Sequence, residues 1–228
     1  MITTDQLSVN IATVKSKIVN STYQSGRDAK AVTLMAVTKT IEESVIAHAA
    51  SEGITHFGEN RVQEAGPKVA ALPQLHWECI GSLQRNKVRG ALALFERIQS
   101  VDSLELVRVI NRVAGEQEQI VPILLQVNVA HEVTKHGFTL ESAISAAREV
   151  MLMPNVRGEG LMTIAPAAKD SESVRPVFAT LRTLRDRLQQ EIDPQWQELS
   201  MGMSDDFEVA ISEGATVVRL GRALFGAR

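Results

Sequence analysis

One lysine stands at the end of an apolar segment that is typical of a buried β-strand. The segment covers residues 34–40 and ends with Thr38, Lys39 and Thr40. A lysine held between apolar walls loses basicity, so its amine becomes a nucleophile toward carbonyl groups. Lys39 is therefore a candidate for forming a Schiff base. The alternative is a strand that ends at the surface, where a lysine extends its charge into water, and the segment alone favours that alternative.

Two polar segments near the end of the chain have the composition of a phosphate site. The first covers residues 199–206 and includes Ser204, and hydroxyls and small residues at a helix start expose backbone N–H groups and the positive end of the helix dipole. The second covers residues 217–226, where Gly221 allows a ligand to approach the backbone closely. Taken singly, each segment is also explained by a helix cap or a turn.

Composition and charge argue against several classes of function. The chain has 228 residues, of which 44% are hydrophobic, and a formal charge of −3, so it can bury a full core and has no basic excess for nucleic acid. The single cysteine, Cys79, cannot form an internal disulfide, and no Cys and His cluster has zinc-site spacing. We therefore expect no metal and a reducing, cytoplasmic location. Neither a secretory signal nor an apolar run long enough to span a membrane is found.

Eight short apolar or β-branched segments alternate with longer segments of helical periodicity. This alternation predicts a parallel sheet with crossover helices. The predicted strands cover residues 34–40, 55–59, 76–81, 97–101, 121–128, 156–162, 198–201 and 216–220. The predicted helices cover residues 42–52, 60–71, 83–94, 103–117, 139–151, 171–192 and 205–213, after a leading helix within residues 1–25.

Eight such strands predict a single (β/α)₈ TIM barrel with an extra N-terminal helix, forming one domain over residues 1–228. An open doubly wound sheet is the alternative, because both architectures share the same local pattern. No Gly-x-Gly-x-x-Gly motif follows the first strand, which argues against a dinucleotide-binding version of that sheet.

In such a barrel the functional side chains lie where the strands end. Lys39 ends the first predicted strand, and the two polar segments follow the seventh and eighth, where phosphate sites of these barrels are commonly built. A lysine and a phosphate site across one barrel mouth match pyridoxal 5′-phosphate (PLP), which carries its aldehyde and its phosphate on opposite sides of the ring. Further polar residues at strand ends are Glu59, Asn60, Arg61, Ser82, Gln84, Asp102, Ser103 and Asn128.

Three of these polar residues also have a structural explanation. Asp102 and Ser103 are expected to cap the helix that follows them, and Asn60 is either a cap or a site residue.

Seven motifs occur in the same order as in the pyridoxal phosphate homeostasis proteins, and the chain resembles that family from about residue 34 to residue 228. The motifs cover residues 36–40, 57–64, 80–87, 125–128, 160–162, 200–204 and 218–221. The resemblance implies a barrel like the N-terminal domain of bacterial alanine racemase, with PLP held as an internal aldimine on Lys39.

The resemblance also implies roles for other residues. Those that would surround the phosphate, partly through backbone N–H groups, are Ser200, Met203, Ser204, Gly221 and Arg222. Asn60 would lie near the cofactor ring and Arg219 would face the pyridine nitrogen. A charged guanidinium there opposes protonation of that nitrogen, so the ring would be a weak electron sink. Lys135, on the loop after the fifth strand, is a candidate secondary PLP site.

Three functions remain open from the sequence. The resemblance implies a monomeric PLP-binding protein that stores, buffers or delivers the cofactor to PLP-dependent apoenzymes without strong catalysis. The first alternative is a PLP enzyme such as an amino-acid racemase, although racemases of this fold use a tyrosine base and the only tyrosine here is Tyr23, in the leading helix. The second is an aldolase-like enzyme in which Lys39 acts on a sugar phosphate without a cofactor, with Glu59 as its acid–base partner.

Overall fold

Eight parallel strands close into one barrel in chain order, and β8 pairs back with β1. The structure is a computed structural model that describes residues 2–130, 132, 136–168 and 170–226. The strands are β1 Thr33–Val37, β2 His56–Glu59, β3 His76–Cys79, β4 Arg97–Val101, β5 Val121–Gln126, β6 Val156–Met162, β7 Glu198–Ser200 and β8 Val217–Leu220. The predicted TIM barrel is therefore confirmed, and the open doubly wound sheet is excluded.

Helices surround the barrel and cover the outer face of its sheet. They are α1 Thr4–Gln24, α2 Glu43–Ser51, α3 Val62–Ala71, α4 Val88–Leu92, α5 Leu104–Glu116, α6 Leu140–Val150, α7 Arg175–Glu191, α8 Phe207–Ser212 and α9 Arg222–Phe225. The leading helix α1 buries an apolar stripe of Leu7, Ile11, Val14 and Ile18 and packs against α2, α8 and α9. None of the helices in the described part of the chain has the length and apolar character that crossing a membrane requires.

Most predicted boundaries agree with the structure, and the differences have local causes. β4 and β6 have the predicted bounds. β1 ends at Val37 instead of residue 40, because the chain turns and Thr40 adopts a φ of 62° that no strand accommodates. The helix predicted over residues 83–94 is a 3₁₀ turn, Arg85–Lys87, followed by the short α4, since an i→i+3 turn can give a similar apolar spacing over so short a segment.

The two faces of the sheet differ in chemistry. Outside the barrel, under the helices, the core is apolar and aromatic, and the rings of Phe57 and Trp77 lie 5.4 Å apart. Inside the barrel, polar side chains follow one another across the strands, and they include Glu78, Gln99 and Arg219. Because neighbouring residues of a strand face opposite sides, this polar column is compatible with fully buried strands.

Close backbone packing between β6 and β7 requires a glycine at position 160. A Cβ atom there would lie 2.1 Å from the backbone oxygen of Glu198. We expect Gly160→Ala to lower the free energy of unfolding by about 1–3 kcal/mol or more, since the strands would have to separate. The control is Gly90→Ala in α4, where the nearest atom would be 3.5 Å away and a gain of about 0.5–1 kcal/mol is expected. Urea unfolding measures both values, and equal stability of the two variants would contradict this explanation.

Candidate cofactor site

The loop that carries Lys39 lies beside the loop that follows β8. The two strands pair in parallel, with Ala36 opposite Leu220. Lys39 comes shortly after the end of β1, and Gly221 directly follows β8. Both residues therefore emerge at the barrel mouth, the edge at which the carboxyl ends of all eight strands meet.

Lys39 does not lie between apolar walls but at the surface, the alternative that its segment alone favoured. It stands on a turn in which the amide of Ile41 donates to the carbonyl oxygen of Thr38 at 2.9 Å. Its side chain is exposed. The lysine lies beyond the end of β1 and not at a buried strand end, so the buried interpretation of this segment does not hold. The amine is consequently open to ligands that enter the mouth.

The two polar segments predicted to hold a phosphate are held side by side. The amide of Arg219 donates to the carbonyl of Gly202 at 3.0 Å, and the amide of Ala223 donates to the hydroxyl of Ser204 at 3.0 Å. Gly202 has a φ of 96°, and a Cβ atom on it would lie 2.6 Å from the Cβ of Ala210. A glycine is therefore required for the loop after β7 to fold back onto α8.

Met203, Ser204, Gly221 and Arg222 lie on the rim of this double loop, in agreement with their predicted grouping. The backbone N–H of Met203 donates to the Asp206 carboxylate at 2.6 Å, so that N–H already has an acceptor. Burial raises the pKa of Asp206, although this hydrogen bond acts in the opposite direction. The exposed Arg222 forms an ion pair with Asp205 across the two loops.

Ser200 is placed differently from the prediction that it surrounds a phosphate. Its side chain is fully buried inside the barrel. The hydroxyl lies 2.5 Å from the Gln99 side-chain oxygen and 2.6 Å from Nη1 of Arg219. β7 directs this side chain toward the barrel interior, so the hydroxyl forms its hydrogen bonds below the rim. The hydroxyl of Ser200 therefore does not line the rim, and a contact between this residue and a phosphate stays a prediction.

The hydrogen bonds of this interior chain all run in one direction. The Gln99 amide nitrogen lies 2.7 Å from Glu78, and since an ionised carboxylate only accepts, the amide must donate there. Its oxygen then faces Ser200, which donates to it and accepts from Arg219. Each group from the guanidinium to the amide therefore donates to the next group toward the carboxylate, and each hydrogen bond polarises the next one.

Arg219 is a buried cation beneath the mouth. Besides the contact with Ser200, its Nη2 donates to the carbonyl oxygen of Thr163 at 2.7 Å. Burial lowers the pKa of Arg219 to about 10, while the nearby Asp206 acts in the opposite direction. That value is still above neutral pH, so the guanidinium remains charged. Its nearest carboxylate along the chain of hydrogen bonds is Glu78, two side chains away.

A second cation holds the far end of the chain. Nε of Arg97 donates to Glu78 at 2.6 Å, and its Nη1 donates to Glu159 at 3.2 Å. Burial alone would lower the pKa of Arg97, but Glu78 raises it above its ordinary value. The carboxylate of Glu78 is thus neutralised from below and is not free to pair with Arg219 directly.

Glu59 does not face the mouth, where the aldolase-like alternative needs it. Its carboxylate is fully buried on the outer side of the sheet, against α3. Its Oε1 accepts from Nζ of Lys68 at 2.6 Å and from the hydroxyl of Thr38 at 2.7 Å. A carboxylate enclosed in this way cannot act as a general acid or base on a ligand at the mouth.

Asn60 lines a cavity of about 260 Å³ at the mouth, together with residues after β3 and β5 that include Gly81, Ser82, Asn128 and His136. It does not cap α3, whose N-terminal flanking residue is Arg61. Ser103 does cap α5, as expected, through its hydroxyl and the amide of Leu106. Lys135, the candidate secondary site, lies outside the described residues.

Sequence reasoning missed four residues that support the site: Lys68, Glu78, Gln99 and Thr163. A signal for two of them was present, since Glu78 and Gln99 are polar residues within the predicted strands 76–81 and 97–101. Such residues indicate a polar barrel interior.

The remaining chemical candidate, Cys79, is buried, which raises the pKa of its thiol to about 11. It is therefore not a nucleophile at neutral pH. No group of three metal-ligating side chains occurs among the residues that the structure describes.

Comparisons with known proteins agree with this architecture. The alanine racemase N-terminal domain family matches residues 2–228. A pyridoxal phosphate homeostasis protein of Aquifex aeolicus is 40% identical over 220 residues, which are 96% of each chain. The structure of PipY from Synechococcus elongatus with PLP bound is 35% identical, with a TM-score of 0.84 over 96% of this chain and 100% of that one.

Similarity also extends to larger enzymes, at the level of the fold. An alanine racemase of Clostridium difficile superposes with a TM-score of 0.77 at 17% identity, over 98% of this chain and 56% of the racemase. At that identity the comparison shows a shared barrel and nothing further.

Removal of the Ser200 hydroxyl tests the interior chain. We expect Ser200→Ala to lower the free energy of unfolding by about 1–3 kcal/mol, because a buried Gln99 oxygen and a buried Arg219 N–H would both lose a partner. The control is Ser145→Ala on the exposed side of α6, with an expected change within about 0.5 kcal/mol. Urea unfolding decides, and an unchanged stability of Ser200→Ala would show that these hydrogen bonds are not formed.

Proposed function

Since the chain belongs to the alanine racemase N-terminal domain family and, within it, to the pyridoxal phosphate homeostasis proteins, we propose that it binds PLP at the barrel mouth and serves in the homeostasis of that cofactor. The observation that carries the proposal is the placement of an exposed lysine beside a double loop of polar residues, above a buried guanidinium. The names of the relatives and the PLP-bound structure of PipY support it.

The donor set at the mouth fits the groups that PLP presents. In this proposal Lys39 supplies the amine that condenses with the aldehyde. The rim of Met203, Ser204, Gly221 and Arg222 receives the phosphate, which suits a dianion because Arg222 adds a cation to hydroxyl and backbone donors. Asn60 borders the ring from the loop after β2.

Arg219 determines what the bound cofactor can do. When bound, PLP supplies an aldehyde that captures amines and a ring that withdraws electrons, most strongly when its nitrogen is protonated. We infer that Arg219 faces that nitrogen. A charged donor there disfavours a second positive charge, and the interior chain holds the guanidinium in place. The site would therefore bind PLP covalently but stabilise a substrate carbanion poorly, which favours a binding protein over an enzyme.

An open mouth suits a protein that releases its cofactor. The exposed side chain of Lys39 can be reached by an incoming amine, which is the group that displaces a lysine from PLP. We propose that PLP-dependent apoenzymes are the recipients. The single domain, the monomeric state and the cytoplasmic location stay predictions from the sequence.

The racemase alternative needs a tyrosine base at the mouth. Tyr23, the one tyrosine of the sequence, is 83% exposed near the end of α1 that leads into β1, away from the mouth. The cofactor-free aldolase alternative loses Glu59, which is enclosed by Thr38 and Lys68. Both observations favour a PLP-binding role.

Replacement of Lys39 tests covalent attachment. We expect the wild type to absorb visible light with PLP, and borohydride reduction followed by peptide mass spectrometry to place the adduct on Lys39. Lys39→Ala should lose the adduct and keep its stability within about 0.5 kcal/mol, because the side chain is exposed. The control is Lys30→Ala, an exposed lysine before β1, which should behave like the wild type. A wild type that takes up no PLP would overturn the proposal, and racemisation of amino acids at rates of about 1 s⁻¹ or above would favour the enzyme alternative.

The double loop is tested by changing both of its halves. Ser204→Ala combined with Gly221→Val should weaken PLP retention about tenfold or more, which corresponds to about 1.4 kcal/mol, through a lost hydroxyl and a blocked approach. The control combines Ser145→Ala with Gly90→Val, which makes the same two types of substitution on α6 and α4. Equilibrium dialysis against free PLP measures retention, and unchanged retention in the Ser204 and Gly221 variant would exclude this loop as the phosphate site.

A further inference from the structure

The turn that carries Lys39 contains a strained residue. The amide of Ile41 donates to the carbonyl of Thr38 across the turn at 2.9 Å. Thr40 has a φ of 62°, in the left-handed region that glycine favours and that a β-branched residue rarely adopts. Such a conformation persists only where the surrounding structure imposes it. Something other than local preference therefore holds the turn.

A buried ion pair beneath the turn supplies that constraint. Nζ of Lys68 donates to the carbonyl oxygen of Thr38 at 2.7 Å and to Oε1 of Glu59 at 2.6 Å. The hydroxyl of Thr38 donates to the same carboxylate oxygen at 2.7 Å. The carbonyl and the hydroxyl of Thr38, the residue directly before Lys39, are thus tied to side chains from β2 and α3.

The ion pair is poorly arranged for stability alone. Thr38 and Glu59 are fully buried, and Lys68 is 8% exposed. Its two charges have lost their hydration, a cost that often cancels the attraction between them. The second carboxylate oxygen of Glu59, Oε2, is buried and has no hydrogen-bond partner among the described residues. Every contact that the pair does make converges on one oxygen and on Thr38, which is the arrangement expected of a device that fixes the backbone.

We propose that Lys68 and Glu59 are positioning residues, which hold the strained turn so that the amine of Lys39 stays over the barrel mouth. The proposal rests on the function proposed above, in which Lys39 is the residue that captures PLP. Neither residue touches the cofactor in this proposal, and both act through the backbone of Thr38. Without them the turn would relax, and the amine would sample positions away from the aldehyde.

The test removes both charges together, since Lys68→Met alone would leave a buried carboxylate unpaired and the variant could fail to fold. Glu59→Gln combined with Lys68→Met keeps the volumes and leaves no lone charge. Lys68→Arg is the conservative variant that retains donors for Thr38 and Glu59. Lys30→Met is the matched control, because Lys30 is exposed and lies outside the site.

The first measurement needs no cofactor. Amide hydrogen exchange in the free, full-length protein reports the Ile41 N–H, which is protected by its bond to Thr38. We expect exchange at Ile41 to quicken at least about tenfold in the double variant, to stay within about threefold of wild type in Lys68→Arg, and to be unchanged in Lys30→Met. Exchange at Ile41 that the double variant leaves unchanged would overturn the proposal, whatever happens to PLP.

The second measurement follows capture of PLP by the rise of visible absorbance. The double variant should form the Lys39 adduct about tenfold or more slowly, because small displacements of a reacting group carry large rate penalties, while its noncovalent retention of PLP at the phosphate loops stays near that of the wild type. Capture at the wild-type rate by a variant with faster Ile41 exchange would overturn the positioning role. A wild type that forms no adduct on Lys39 would instead overturn the proposed function. The exchange measurement is made without cofactor, so its result does not depend on that outcome.

Discussion

The buried positive charge of Arg219 is the constraint on which the inside of the barrel depends. A guanidinium removed from water needs hydrogen-bond acceptors and a compensating charge, and either requirement left unmet is costly. Ser200 and the carbonyl of Thr163 supply the acceptors. Asp206 compensates part of the charge, and a second carboxylate, Glu78, is linked to Arg219 through Gln99 and Ser200. Four strands must therefore hold their register for one charge to be tolerated.

That spacing has a chemical consequence. A carboxylate in direct contact would neutralise Arg219 and favour a proton on a ring nitrogen placed beside it. The intervening amide and hydroxyl orient the guanidinium without cancelling its charge, and Arg97 neutralises Glu78 from the opposite side. Charged groups deep in the barrel thus contribute to the electrostatic field at the mouth. In the proposed function, a ring bound above Arg219 would be held in place and activated only weakly, which suits storage of the cofactor better than catalysis.

How much of this the sequence could predict depended on whether a property was local. The alternation of apolar segments predicted all eight strands and the exact bounds of β4 and β6. Such predictions succeed because strand periodicity depends only on neighbouring residues. The sequence left both a buried and an exposed Lys39 open, since the strand pattern does not encode the strained turn at Thr40. The inward direction of Ser200 and the pairing of Gln99 with Glu78 depend on register between strands, which no single segment encodes. The family resemblance grouped residues that lie on the two neighbouring loops with Ser200 in the layer below them, and their contact with a phosphate stays a prediction.

The two buried networks divide the site between them. The interior chain, ending at Arg219, fixes what lies under the mouth, while Thr38, Glu59 and Lys68 lie on the outer face of the sheet and fix the backbone before Lys39. The closure of β1 onto β8 brings these two parts together, because it places residues from opposite ends of the sequence on neighbouring strands. Neither network can substitute for the other. Without the outer network, a bound ligand would lack a positioned lysine. Without the interior chain, that lysine would have no positioned guanidinium beneath it. The rim itself can then remain exposed, since buried hydrogen bonds hold the guanidinium of Arg219 and the backbone before Lys39 in place.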